Sequence, residues 1–466
     1  MIPMTLAEVA KAVDGRLVGV SDPDAPITGP VEHDSRKIAP GGLFVAFVGE
    51  KVDGHDFAPT AFDGGAVAVM GSRAVDGPTI LVGDVLTAYG MLARAVVDRL
   101  RGLTIVGVTG SSGKTSTKDM IAQLCERLGP TVSPQGNLNN ELGLPYTVCK
   151  VDESTRYLVL EMGARGVGHI EYLCRVAPVD VAVVLNVGTA HLGEFGTVAA
   201  IATAKAELPQ AVGPGGAVIL NADDPLVAAM GDDVDATVVR YSSAEAENSQ
   251  VTASHLAAVA GRFSFVLTTP RGRAEVELRV HGEHQVSNAL AAAAVGDQLG
   301  MTAADIAACL DAIEPRSARR MDVFTRESDD ITVIDDSYNA NPASMAAALS
   351  GLADIGQGRR KIAVLGYMAE LGAAERAAHE EVGRLAAEAG AELVIVVEEE
   401  AEGIAVGAEA CSVVTRRAVD QDEAIRLFDE LSRPGDTVLI KASRYRTWRV
   451  ADYLRSPQDF TKEAHA

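Results

Sequence analysis

The chain alternates short apolar runs rich in β-branched residues with longer stretches whose apolar positions recur at helical spacing. Near the N-terminus, Leu43 to Phe47, Ala66 to Met70 and Thr79 to Val82 read as strands, and Asp84 through Arg101 reads as a helix. Leu103 to Val108 is then a buried strand that breaks into glycines before a helix begins around Thr115. Tyr157 to Leu160, Val179 to Leu185 and Ala217 to Leu220 repeat the strand-then-helix rhythm, which predicts a mostly parallel sheet. The rhythm changes at Arg262 to Leu267 and Ala274 to Val280, where apolar and polar residues alternate around Thr268-Thr269-Pro270-Arg271-Gly272. That pattern predicts a β-hairpin with one wet face, followed by a long helix from Gly282 to Gly300. Pro315-Arg316-Ser317-Ala318-Arg319-Arg320 reads as a linker. Beyond it, strands Val333 to Asp335, Lys361 to Leu365, Leu393 to Val397 and Thr437 to Ile440 alternate with helices around Met345 to Ala353, Ala373 to Ala389 and Gln421 to Leu431.

The expected fold class is α/β with three domains. Residues 1–100 form a small N-terminal α/β domain, 101–316 a central phosphate-loop domain with a mostly parallel sheet, and 317–466 a C-terminal Rossmann-like domain. With 466 residues and 47% hydrophobic content, the chain can bury several cores. A formal net charge of -23 argues against a nucleic-acid partner, so any anionic substrate must find local positive charge. There is no apolar run of roughly 18 residues, and Met1-Ile2-Pro3-Met4-Thr5 opens no leader pattern, so the expectation is a cytoplasmic chain with no membrane span. Cys125, Cys149, Cys174, Cys309 and Cys411 are scattered, never in C-x-x-C spacing, and read as reduced structural residues.

The chemistry centres on Thr109-Gly110-Ser111-Ser112-Gly113-Lys114-Thr115-Ser116. Small residues between a strand and a helix N-terminus let backbone N–H groups face a phosphate, while the lysine reaches the β/γ-phosphates and the Thr115 hydroxyl can ligate Mg²⁺. The usual spacing puts a glycine where Val108 stands; the nearby glycine, Gly107, is one residue earlier. Ligands of parallel sheets gather at the carboxyl ends of strands. Glu161, Asn186 and His191, and Asn221-Ala222-Asp223-Asp224 follow three such ends. Glu161 fits a metal ligand or a capping carboxylate, and His191 a ligand or a hydrogen-bonded loop histidine. Lys205 is a single lysine among small helical residues, and His284 and Asn288 share one helix face. Asp34-Ser35-Arg36 offers a hydroxyl and a guanidinium to an anion, or is a surface turn. Lys441 and Arg444 at a strand end suit a peptide carboxylate or are surface charge, and Glu398-Glu399-Glu400 reads as a solvated acidic loop.

Thr109 to Thr115, Glu161-Met162-Gly163-Ala164, Asn186-Val187-Gly188-Thr189-Ala190-His191 and Thr203-Ala204-Lys205-Ala206-Glu207, in that order, resemble the Mur ligase family of ATP-dependent peptide-bond-forming enzymes of peptidoglycan synthesis. Asn137-Leu138-Asn139-Asn140-Glu141-Leu142-Gly143, Asp335 to Pro342 and Met368-Ala369-Glu370-Leu371-Gly372 resemble the members that join D-alanyl-D-alanine to a UDP-N-acetylmuramoyl-tripeptide. The resemblance implies a UDP-substrate domain, an ATP domain and a C-terminal domain for the incoming amine. It implies that Thr109, Gly110, Ser111, Ser112, Gly113, Lys114, Thr115 and Ser116, with Asn288, Arg320 and Asp336, bind ATP, and that Thr115, Glu161 and His191 hold Mg²⁺. Lys205 resembles the lysine that this family carbamylates with CO₂, and Lys114, Glu161, His191 and Lys205 would be the catalytic set. Ser35 and Arg36 would serve the UDP end, and Asn137, Asn139, Asn140, Lys441 and Arg444 the peptides, in a monomer. Two positions depart from the family pattern: Tyr367 stands where an acidic residue is usual, and Ala442 where glycine is common.

Overall fold

The computed structural model describes residues 1–190 and 192–457. It is built on three sheet-centred α/β units, with a separate two-stranded ribbon of Met4–Thr5 and Pro26–Ile27 near the start. The first unit is a five-stranded sheet in the order Arg16–Val18, Thr79–Leu81, Ala66–Gly71, Gly42–Ala46, Val31–Glu32, parallel except for its first pair. Helix Val85–Asp98 leaves it, started by the Asp84 carboxylate accepting from Thr87 N at 2.7 Å. The apolar stripe of that helix, Tyr89, Leu92, Ala93 and Val96, is fully buried in a core shared with one face of the central sheet. The first two units are thus packed together rather than strung apart.

The central sheet has nine strands, in the order Gly272–His281, Arg262–Thr269, Val251–Val259, Thr237–Ser242, Ala217–Asn221, Val181–Val184, Thr104–Thr109, Tyr157–Glu161, Thr131–Val132. The expected hairpin is present with its wet face, and it extends by a third antiparallel strand, Val251–Val259, which precedes it in the chain. All other pairings in this sheet are parallel. Thr104–Thr109 lies between Val181–Val184 and Tyr157–Glu161, so the chain leaves it to one side and returns on the other. That is the point at which a doubly wound sheet opens a crevice at its strand ends. Helices Lys114–Leu128, His284–Gln298 and Ala303–Leu310 cover the face away from the first unit.

The third unit is a six-stranded sheet in the order Asp322–Arg326, Ile331–Asp335, Thr437–Lys441, Lys361–Gly366, Ala391–Val397, Val414–Ala418. Only the first strand is antiparallel, and apolar cores cover both faces. Helix Pro342–Ile355 starts at a reciprocal cap between Asn341 and Ser344 with proline in its first turn.

The linker between the second and third units is held on both sides. Glu314 N donates to Gln123 Oε1 and Gln123 Nε2 to Glu314 O, both at 3.1 Å, and the Ser317 hydroxyl donates to Asp119 Oδ2 at 2.6 Å. Arg316 forks onto the Glu126 carboxylate at 2.5 and 2.6 Å. From Arg319 onward the ties are to the third unit: its guanidinium donates to Asp452 at 2.6 Å and lies 4.8 Å from the Trp448 ring centre, while Tyr338 N donates to Arg319 O. Glu398-Glu399-Glu400 is not merely solvated. Arg446 donates to Glu398 and lies 3.4 Å from Glu400, so the acidic turn is pinned by a cation 48 residues away in sequence.

Candidate active site

The phosphate loop takes the expected course. Gly113 ends it with φ +80°, and a Cβ there would stand 2.6 Å from Asn288 Oδ1, so this position admits glycine alone without displacement. Ser111 N and Ser112 N donate to Asn186 Oδ1 at 3.0 and 2.9 Å, and Gly188 N donates to the Ser111 hydroxyl at 2.8 Å. The loop is therefore braced by the chain leaving the neighbouring strand. Lys114 turns back to donate to Gly110 O at 2.7 Å. Burial lowers its basicity, Glu161 opposes that effect, and Arg320 adds to it.

Glu161 closes strand Tyr157–Glu161 and is buried at 2% exposure. Its Oε2 accepts from the Thr115 hydroxyl and its Oε1 from Asn139 Nδ2, both at 2.7 Å. No ion pair reaches it among the described residues, so a buried carboxyl group faces the phosphate loop. Lys205, on helix Val198–Gln210, is also buried and opens on the same space. Burial first, and then the neighbouring charge of Lys114, draw its basicity down to about 7.

These groups line one cavity of about 820 Å³ between the second and third units. Of the residues singled out from sequence, Gly110 through Ser116, Asn137, Asn139, Asn140, Glu161, Lys205, Asn288, Arg320, Asp336, Lys441 and Arg444 border it. Thr109 does not: its hydroxyl is buried in the strand without a partner. Ser35 and Arg36 also lie outside it. Ser35 is buried, and the exposed Arg36 guanidinium is held by Asp34 through two hydrogen bonds of 2.9 Å that keep the Asp34 carboxyl well below its usual range. His191 lies outside the described residues.

Several partnerships could not be read from sequence. Lys441 is not surface charge: it is buried, pairs with Asp336 and donates to Asn339 O at 2.9 Å. Arg444 pairs with Glu370 at 2.7 Å with 60% of its side chain exposed. Arg320 lies over the Tyr338 ring at 4.3 Å, and Asn288 accepts from the Thr117 hydroxyl at 3.1 Å while donating to Gln285. Tyr367 donates to Glu375 at 2.5 Å and stacks on His379, and Ala442 is buried against Gly366. His284 also borders the cavity, its basicity lowered by burial. The second and third units touch at the rim, where Gly193 N donates to Glu370 O at 2.9 Å.

A phosphate loop, a buried carboxylate beside it and a second α/β unit facing both across a cavity define a phosphate-loop nucleotide enzyme that works between two units. Three domain models match the chain: Mur ligase family, catalytic domain, over residues 29–95; Mur ligase middle domain over 108–296; and Mur ligase, glutamate ligase domain, over 319–444. The UDP-N-acetylmuramoyl-tripeptide–D-alanyl-D-alanine ligase of Mycobacterium leprae is 45% identical, covering 95% of this chain and 96% of that protein. Its Escherichia coli counterpart is 37% identical over 95% and 96%. Among solved structures, MurF from Acinetobacter baumannii superposes with a TM-score of 0.88 at 31% identity, covering 97% of this chain and 99% of that one. MurF ligase from Thermotoga maritima in complex with ADP gives 0.79 at 29%, covering 92% and 98%. The chain belongs to the Mur ligase family, and it is a ligase.

Proposed function

We propose that the chain joins D-alanyl-D-alanine to the terminal carboxylate of UDP-N-acetylmuramoyl-tripeptide at the expense of ATP, forming the UDP-linked pentapeptide, ADP and phosphate. The observation that carries this is the shared cavity, in which the phosphate loop, Glu161, Lys205, the amide-rich 137–140 loop and Arg444 face one another.

Amide formation from a carboxylate is uphill, so the tripeptide carboxylate oxygen attacks the γ-phosphorus and ADP leaves. The dipeptide amine then adds to the acyl carbon of the acyl phosphate, and the tetrahedral intermediate expels phosphate. The chain contributes position and charge. Loop amides and Lys114 receive the phosphates, with Asn288, Arg320 and Asp336 around the rest of the nucleotide. Thr115 and Glu161 suit Mg²⁺: both offer oxygen, and the carboxylate is buried with no ion pair among the described residues. Bound there, Mg²⁺ would neutralise charge on the phosphates. The partly neutral amine of Lys205 can add CO₂ with loss of a proton, turning a cation into a carbamate anion next to that site. Residues 1–100 would hold the UDP end, with Ser35 and Arg36, 101–316 the nucleotide, and 317–466 the dipeptide. Both cations have carboxylate partners, but Lys441 is buried on Asp336 whereas Arg444, paired with Glu370, keeps most of its side chain exposed, so Arg444 is the one the dipeptide carboxylate would reach. No helix among the described residues is long and apolar enough to cross a membrane. In this reading the chain acts in the cytoplasm, as a monomer, on soluble nucleotide precursors.

The test is phosphate release with D-alanyl-D-alanine, D-glutamate, L-lysine and meso-diaminopimelate, each offered with UDP-muramoyl precursors of increasing peptide length. The expected outcome is turnover only with the tripeptide precursor and the dipeptide. Best turnover with a single amino acid on a shorter precursor would assign a different amine, and turnover without any amine would exclude ligation.

A further inference from the structure

The phosphate-loop helix Lys114–Leu128 carries a buried ion pair one turn past its catalytic end. Lys118 is 1% exposed, its ammonium 2.5 Å from Asp119 Oδ1 and donating to Pro134 O at 2.6 Å. Asp119 is buried too, and its other oxygen accepts the Ser317 hydroxyl at 2.6 Å. Helical spacing places Lys118 one turn beyond Lys114 and Asp119 one turn beyond Thr115. A lysine seldom goes inside unless its charge is spent. Here it is spent on two segments. Pro134 roots the loop that carries Asn137, Asn139 and Asn140, and in that loop Asn139 reaches Glu161. Ser317 ends the linker that leads to Arg320 and the third unit.

We propose that Lys118 and Asp119 are positioning residues for the ligation, one buried pair that fixes the peptide loop and the interunit linker in register with the phosphate loop. The pair touches no reacting atom. It sets where the loop stands relative to Glu161 and Lys114, so that a peptide carboxylate held by the loop faces the γ-phosphate. The peptide-binding role of residues 137–140 is taken from the function proposed above; the register itself is a statement about the ligand-free fold.

The experiment pairs the double variant Lys118→Met/Asp119→Asn with Ser317→Ala. Removing both charges avoids stranding one inside, and Asp119→Asn keeps an acceptor for Ser317. Hydrogen exchange is measured on the ligand-free protein, then ADP affinity, and then kcat and KM for the nucleotide-linked tripeptide. Loss of charge-assisted bonds of this kind should speed exchange of the 133–143 amides by roughly tenfold or more. KM for the tripeptide nucleotide should rise by about the same factor while the Kd for ADP stays within about twofold. Ser317→Ala should loosen 314–320 alone. Unchanged exchange in the loop overturns the proposal, as does an equal loss of ADP affinity, which would mean the helix itself had been distorted. Exchange needs no substrate, so a failed amine assignment and a failed positioning role give different results.

Discussion

Lys205 should weaken the fold that it serves. An ordinary lysine titrates at 10.5, and here burial and Lys114 bring it to about 7. At about 1.4 kcal/mol per tenfold change in proton affinity, that drop corresponds to about 5 kcal/mol of unfavourable ammonium burial, an upper figure because the site relaxes and admits water. The sign follows from proton counts. Below pH 7 both folded and unfolded chains hold the proton and the penalty is complete; between about 7 and 10.5 only the unfolded chain holds it, so stability rises with pH; above 10.5 the penalty is gone. Lys205→Met keeps most of the side-chain volume and removes the ammonium. It should therefore unfold later in urea at pH 6 by at least about 2 kcal/mol, and the advantage should shrink steadily towards pH 10. Circular dichroism in CO₂-free buffer reads the transition without carbamate formation competing for the free amine. The same variant should be nearly inactive. A methionine variant no more stable than the parent at pH 6, or one whose advantage does not change with pH, would refute the account of Lys205 as a desolvated amine held for chemistry.

Lys114→Ala should keep its circular dichroism spectrum and lose about 10³-fold or more in phosphate release, because its charge stands where phosphoryl charge is redistributed; near-normal turnover would remove the phosphate-loop assignment. Glu161→Gln preserves an acceptor for Thr115 but not the buried anion, so the Mg²⁺ needed for half-maximal turnover should rise roughly tenfold or more, with Mn²⁺ binding by electron paramagnetic resonance falling in parallel. Gly113→Ala puts a methyl 2.6 Å from Asn288 Oδ1 at φ +80°, a strain of about 1–3 kcal/mol that should appear in calorimetric ADP affinity; unchanged affinity would contradict the tight fit.

Much of this was legible because buried parallel strands are written as apolar runs and their carboxyl ends as chemistry. The runs at 103–108, 157–160, 179–185 and 217–220 all contain strands of one sheet. Strands that were missed lack that contrast. Asp322–Arg326 is an edge strand with charges at both ends, Val414–Ala418 carries Arg416 and Arg417 towards solvent, and Thr237–Ser242 is half polar. The partners of charged residues were illegible for another reason. Lys441 meets Asp336 across 105 residues and Arg446 meets Glu398 across 48, and no local spacing encodes such pairings. Lys118 and Asp119 likewise depend on distant segments, Pro134 and Ser317, that close over them, and local sequence does not encode those contacts.

The double tether on the linker has a mechanical meaning. Ser317 is tied to the second unit and Arg319 to the third, and Ala318 between them has no side-chain hydrogen bond to either. A joint with one untied residue is a swivel: it turns, but it has no slack with which to slide. Ordering such a joint sacrifices the freedom of about one residue, roughly 1–2 kcal/mol, where a floppy connector of ten would sacrifice several times more. Assembling the cavity from the two units therefore costs little chain entropy, and the short joint keeps Arg320 at the same cavity as the phosphate loop.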